Sequence, residues 1–77
     1  MEWRKVGVTA YAGYRSEELP RSFVLEGKKI SVLEIISRWV EEAAEGGQQR
    51  RCFRVKGDDG FTYLLSCVEQ TGEWYLE

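Results

Sequence analysis

The sequence contains no histidine, a single proline and only two cysteines. No apolar run approaches the roughly 18–20 residues that a membrane span needs. Without histidine, the usual general base for a thiol nucleophile is missing, so neither Cys52 nor Cys67 has the partner that covalent catalysis requires. Two cysteines cannot build a conventional four-ligand zinc site by themselves, and no ligand-type spacing is present. Net positive charge is absent too. The 11 Lys and Arg stand against 13 Asp and Glu, a formal charge of −2. The chain therefore lacks the global basicity of many nucleic-acid binders, although a local cationic face remains compatible with it. Gly46-Gly47 has neither the Lys-Ser/Thr of a phosphate loop nor the glycine spacing of a dinucleotide fold. The acidic doublets Glu17-Glu18, Glu41-Glu42 and Asp58-Asp59 place adjacent side chains apart on extended backbone and lack the spaced oxygens of a calcium loop. These absences predict a protein that is not an enzyme and holds no metal and no cofactor.

What is there is ordinary globular composition with an aromatic surplus. Hydrophobic residues make up 43% and charged residues 31%, unlike a disordered chain. The 77 residues fit one domain, 1–77. A domain of this size buries only roughly 60–65% of the surface its unfolded chain exposes. Three Trp, four Tyr and three Phe supply large buried areas to a thin core. Met1-Glu2-Trp3-Arg4-Lys5 leads into a short alternating stretch and not into the apolar core of a signal peptide. The expected compartment is the cytoplasm, with both thiols reduced.

Period-two alternation recurs along the chain. Val6, Val8, Ala10 and Ala12 occupy every second position, the signature of a strand. Gly13 to Pro20 reads as an irregular connector, because Pro20 forces Leu19 out of helical backbone. Phe23 and Leu25, then Ile30 and Val32, alternate on either side of a tight turn placed at Gly27-Lys28, where Gly27 supplies a positive φ. Cys52 to Lys56 and Phe61 to Leu65 flank Gly57-Asp58-Asp59-Gly60. A three-residue loop ending on a left-handed Gly60 pairs Phe53 with Leu65 and Val55 with Tyr63. That register places Cys52 and Cys67 on opposite faces, which forbids a disulfide between them. Thr71-Gly72 turns the chain into a last short strand carrying Trp74 and Leu76.

The segment after Ile30 carries two conflicting signals. Val32, Ile35, Ile36, Trp39, Val40 and Ala43 recur at helical spacing, Ser31 and Glu34 form a capping box, and Gly46 could close a helix over 32–45. Against this, the hairpin runs into Val32, and β-branched and aromatic residues are dense. One bulge near Ile35-Ile36 would make the segment a long bent strand.

Tyr14-Arg15, Pro20-Arg21-Ser22-Phe23, Gly27, Ile30-x-Val32, Ile35-Ile36 and Arg38-Trp39 are followed by Phe53-Arg54-Val55, Asp59-Gly60, Tyr63-x-Leu65 and Trp74-x-Leu76. Together these elements resemble a family of short bacterial proteins classed only as a domain of unknown function. The resemblance implies a mostly β protein in which 29–39 is a strand. Some relatives sit beside genes for DNA-repair polymerases, which implies work near nucleic acid. No catalytic residue carries over.

The expected fold is therefore mostly β, a small antiparallel sheet curled into a partial barrel. Its strands are expected near 3–12, 22–26, 29–40, 50–56, 61–68 and 73–77, because curling hides sheet edges. The alternative is α+β, with one helix over 32–45 on a five-stranded sheet. The candidate site is arginine beside aromatic rings: Tyr14, Arg15, Arg21, Arg38 and Arg54, with Tyr11 as a further ring. Gathered on one side, they would track phosphates while rings stack on bases; scattered, they are surface residues paired with glutamates. Cys52, Arg54 and Lys56 are expected to share the face opposite Phe53 and Val55. Cys52 is expected to be the more exposed thiol, its pKa open to lowering by nearby arginines. The expected role is a small binding module, accessory to single-stranded nucleic acid or a nucleic-acid enzyme. The alternative is protein–protein interaction or self-association through an exposed strand edge or an apolar patch. No membrane partner is expected, since the polar face of a 32–44 helix would be too acidic for anionic lipid.

Overall fold

Alternation with a period of two places one side of every strand in a common interior, and short turns force successive strands to pair. The computed structural model describes residues 3–12, 18–42 and 49–77, without the side chains of residues 11, 12 and 18. Six strands occur among the described residues: β1 (Arg4–Ala12), β2 (Glu18–Leu25), β3 (Lys28–Glu42), β4 (Gln49–Gly57), β5 (Thr62–Val68) and β6 (Glu73–Leu76). Each pairs antiparallel with the next, and β1 pairs with β6, so the sheet closes into a barrel. The small β fold stands, and the curl is complete where a partial one was expected. Phe23, Ile30, Phe53, Val55, Leu65, Cys67, Trp74 and Leu76 fill the interior. Two ring pairs lock it: Phe53 with Trp74 at 5.6 Å between centroids, and Phe23 edge-on to Tyr63 at 5.0 Å.

The helix over 32–45 is not formed: residues 32–42 are strand, and 43–45 lie outside the described residues. The helical spacing has a different cause. The β3–β4 register shifts twice, between Val32 and Glu34 and again between Ile35 and Ser37. Each bulge inserts one residue, so inward positions fall three apart, at Val32, Ile35 and Arg38, and mimic a helical face. The inserted residues Leu33 and Ile36 stay 65% and 48% exposed.

β2 begins earlier than expected, at Glu18, and takes in Pro20. Proline is tolerated there because the β1–β2 register shifts beside it, and because β3 pairs β2 only from Ser22 onward. The β2–β3 turn also sits one residue earlier than expected. Leu25 pairs with Lys28, and Glu26 and Gly27 both have positive φ, 51° and 79°, as a type I′ turn demands.

The β4–β5 hairpin has the expected register, Phe53 with Leu65 and Val55 with Tyr63. Its turn closes through Gly60 N–H to Gly57 C=O at 3.1 Å, with Gly60 at φ 90° and Gly57 N–H donating to Phe61 C=O at 2.8 Å. Asp59 accepts from Phe61 N–H at 3.1 Å and from the Tyr63 hydroxyl, so one carboxylate ties the loop to the start of β5. That hydrogen bond holds Asp59 below the usual carboxylate range and pushes Tyr63 up to about 12.

Two outcomes follow. A Cβ on Gly57 would lie 2.8 Å from both Asp59 Oδ1 and Ile30 Cγ2, so Gly57→Ala should lower stability in urea by about 1–3 kcal/mol. Gly7→Ala, with nothing within 4 Å of its added Cβ, should not. In an ultraviolet pH titration one tyrosine should ionise only near pH 12, and Asp59→Ala should return it to the ordinary range near 10. The stabilising contribution of the pair is present above the normal carboxylate pKa and lost as pH falls through Asp59's depressed one. At the alkaline end it is present below about pH 10 and lost as pH rises through Tyr63's raised value.

Candidate nucleic-acid interface

The alternation that sends Phe53 and Val55 inward sends Arg50, Cys52, Arg54 and Lys56 outward along β4. Every second residue recurs at about 6.7 Å, so Arg54 and Lys56 form a short cationic strip with Arg50 beyond Cys52. On the β3 side, Glu41 stands opposite Arg50, Trp39 opposite Cys52, Ser37 opposite Arg54 and Glu34 opposite Lys56. On the β5 side the opposing residues are uncharged: Val68, Ser66, Leu64 and Thr62. The strip is thus bordered by carboxylates along one margin only.

Aromatic rings gather at the Arg50 end. Its guanidinium lies 4.9 Å from the centre of the Trp3 ring and 6.0 Å from that of Tyr75. Trp39 is half-buried, and its indole N–H donates to Glu41 at 2.9 Å. Lys5 and Glu73 form an exposed ion pair at 2.5 Å, which raises the lysine pKa and lowers that of the glutamate. The Tyr75 hydroxyl donates to Glu73 at 3.5 Å.

Between the rings lies a floor of small residues. Cys52 and Ser66 pair across β4 and β5, flanked by Trp39 on β3 and Tyr75 on β6. Although both face outward, Cys52 is 1% exposed and Ser66 0%. The expectation of an accessible Cys52 is therefore overturned. Desolvation, followed by the charge of Glu41, pushes its thiol up to about 11, and the opposing effect of Arg50 is smaller. The hydroxyl of Ser66 and Nε of Arg50 are buried without a hydrogen-bond partner. Such orphaned groups cost about 1–3 kcal/mol each.

The expected site residues fall in different places. Tyr14 and Arg15 lie outside the described residues, as does the side chain of Tyr11. Arg54 is exposed on the outer strip, and Cys52, Arg54 and Lys56 do share the face opposite Phe53 and Val55. Arg38 pairs with Phe53, so it lies on the other face of the sheet, in a depression of about 250 Å³ shared with Trp39, Val40 and Arg51. Arg21 sits at the β2 bulge, in an open groove of about 700 Å³ with Lys29 and Glu34 where β2 and β3 part. Arg21, Arg38 and Arg54 are not gathered on one face. Arg50, Trp3 and Tyr75 were not singled out from the sequence. Arg50 was legible as the next outward position of the β4 alternation. Tyr75 reaches it through the β5–β6 pairing, and Trp3 only because β1 closes the barrel against β6.

Among the described residues, no three His, Cys, Asp or Glu side chains come together as a metal site, and no helix is long and apolar enough to cross a membrane. Comparison with protein-family models, with curated proteins and with solved structures found no match.

Both thiols are buried and lie on opposite faces of neighbouring strands. Native protein at pH 8 should react with an aromatic disulfide reagent far more slowly than protein in denaturant. Rapid labelling of one thiol in the native state would contradict the packing over Cys52.

Proposed function

We propose that the domain is a non-enzymatic binding module for single-stranded nucleic acid, serving as an accessory to enzymes that work on it. The observation that carries this reading is the outward strip Arg50, Arg54 and Lys56 on one strand, with Trp39, Trp3 and Tyr75 toward one end. Cations spaced along an extended strand suit successive phosphates, while indole and phenol faces suit bases of any sequence. The margin along β5 carries no charge, so a polyanion approaching from that side meets no carboxylate directly across from the strip. Glu34 and Glu41 on the opposite margin compete for Lys56 and Arg50, which predicts weak binding that salt abolishes readily.

Fluorescence anisotropy of a labelled oligothymidylate tests the reading. At low salt, binding should be measurable, and three phosphate contacts give a log–log salt slope of about −2. Arg54→Glu combined with Lys56→Glu should abolish it. Trp39→Ala should cost about 1–3 kcal/mol of binding. Arg21→Ala, in the groove between β2 and β3 and off the β4 strip, should leave it unchanged. Absence of salt-sensitive binding by the native protein at low ionic strength would overturn the proposal.

A further inference from the structure

We infer that the far half of β3 is a self-association edge, through which two copies pair antiparallel across Arg38–Glu42 about a two-fold axis at Val40. β3 pairs with β2 only over Lys28–Ser31, and with β4 only from Val32 to Glu42. Beyond Ser31, therefore, one edge of β3 has no strand partner among the described residues. Free edges are normally blunted by bulges, proline or lysine. The two bulges of β3 protect its middle, at Leu33 and Ile36. Past them, Ser37 to Glu42 pairs with β4 without a register shift and contains no proline, glycine or lysine. This stretch is a regular strand with no strand partner on one side among the described residues, and Val40 on it is 58% exposed.

The charge order of the segment selects both the occupant and the register. In an isologous antiparallel pair, facing residues share a face, so each register is centred on one residue. Centring on Val40 sets Arg38 against Glu42 of the second copy twice over, Trp39 against Glu41 twice, and Val40 against itself. Arg38, Val40 and Glu42 lie on the Phe53 side of the sheet, so these pairs meet on one surface. Trp39 and Glu41 lie on the other, where the indole already donates to the glutamate at 2.9 Å within one chain. Centring on Arg38 or on Glu41 puts like charges face to face. Centring on Trp39 sets Arg38 against Val40 and makes no ion pair. Only a second copy of the same segment meets all of these complementarities at once.

Such pairing would continue the β3–β4 ribbon into a four-stranded sheet, with the two β4 strips on the same side. The inference does not rest on nucleic-acid binding, and its test contains none. Sedimentation equilibrium of the full chain should show a concentration-dependent dimer. Arg38→Glu alone and Glu42→Arg alone should each weaken association about tenfold or more, because each turns two cross-strand attractions into two repulsions. The double variant R38E/E42R should restore it. Val40→Lys should leave a monomer. All three positions are solvent-exposed, and circular dichroism of each variant verifies that the barrel persists. A native protein that stays monomeric at high concentration overturns the inference. So does a dimer indifferent to the single reversals, or one the double variant fails to restore.

Discussion

The register between β4 and β5 is the constraint on which the rest of the molecule depends. Phe53 opposite Leu65 and Val55 opposite Tyr63 put the largest apolar groups of the hairpin on one side. A slip of one residue would carry Arg54 and Lys56 into the barrel and Phe53 out of it. The turn is what prevents the slip. Gly60 takes the left-handed backbone, and Asp59 binds both the Phe61 amide and the Tyr63 hydroxyl. Core and cationic strip are two faces of one decision made at four loop residues.

The strip also shows how an acidic protein can present a cationic line. Alternation on one strand collects three of its cations outward while their carboxylate neighbours sit on β3. The summed charge of −2 describes the long-range field. At a distance of one Debye length or less, the local order of charges decides what is attracted. The same would hold for the proposed pairing along β3, where the order Arg-Trp-Val-Glu-Glu matters more than the composition.

Elements governed by neighbours in sequence were legible in it. The β4–β5 hairpin, its loop length, the opposite facing of the two cysteines and the outward grouping of Arg54 and Lys56 all follow from turn chemistry and alternation. The β3 segment misled because bulges convert a two-residue period into a three-residue one, and periodicity alone cannot distinguish that from a helix. Cys52 misled for a related reason. Its sequence neighbours Arg51 and Phe53 say nothing of Trp39 and Ser66, which stand beside it on the two flanking strands. Trp3 joined the site through barrel closure, which no local pattern announces, whereas Tyr75 came in through the β5–β6 pairing. Arg38 was separated from Arg54 by a register shift that had to be seen.

The seam between β1 and β6 has a kinetic meaning. It pairs Arg4, Lys5 and Val6 with Leu76, Tyr75 and Trp74, the far ends of the described sequence. Every other strand pairing joins adjacent hairpin arms, so those can form early and locally. The seam must wait for the largest loop to close, and it makes this small protein one of high contact order, slow to finish folding for its size. Until that last zip, the β1 and β6 edges stand open to whatever strand arrives first.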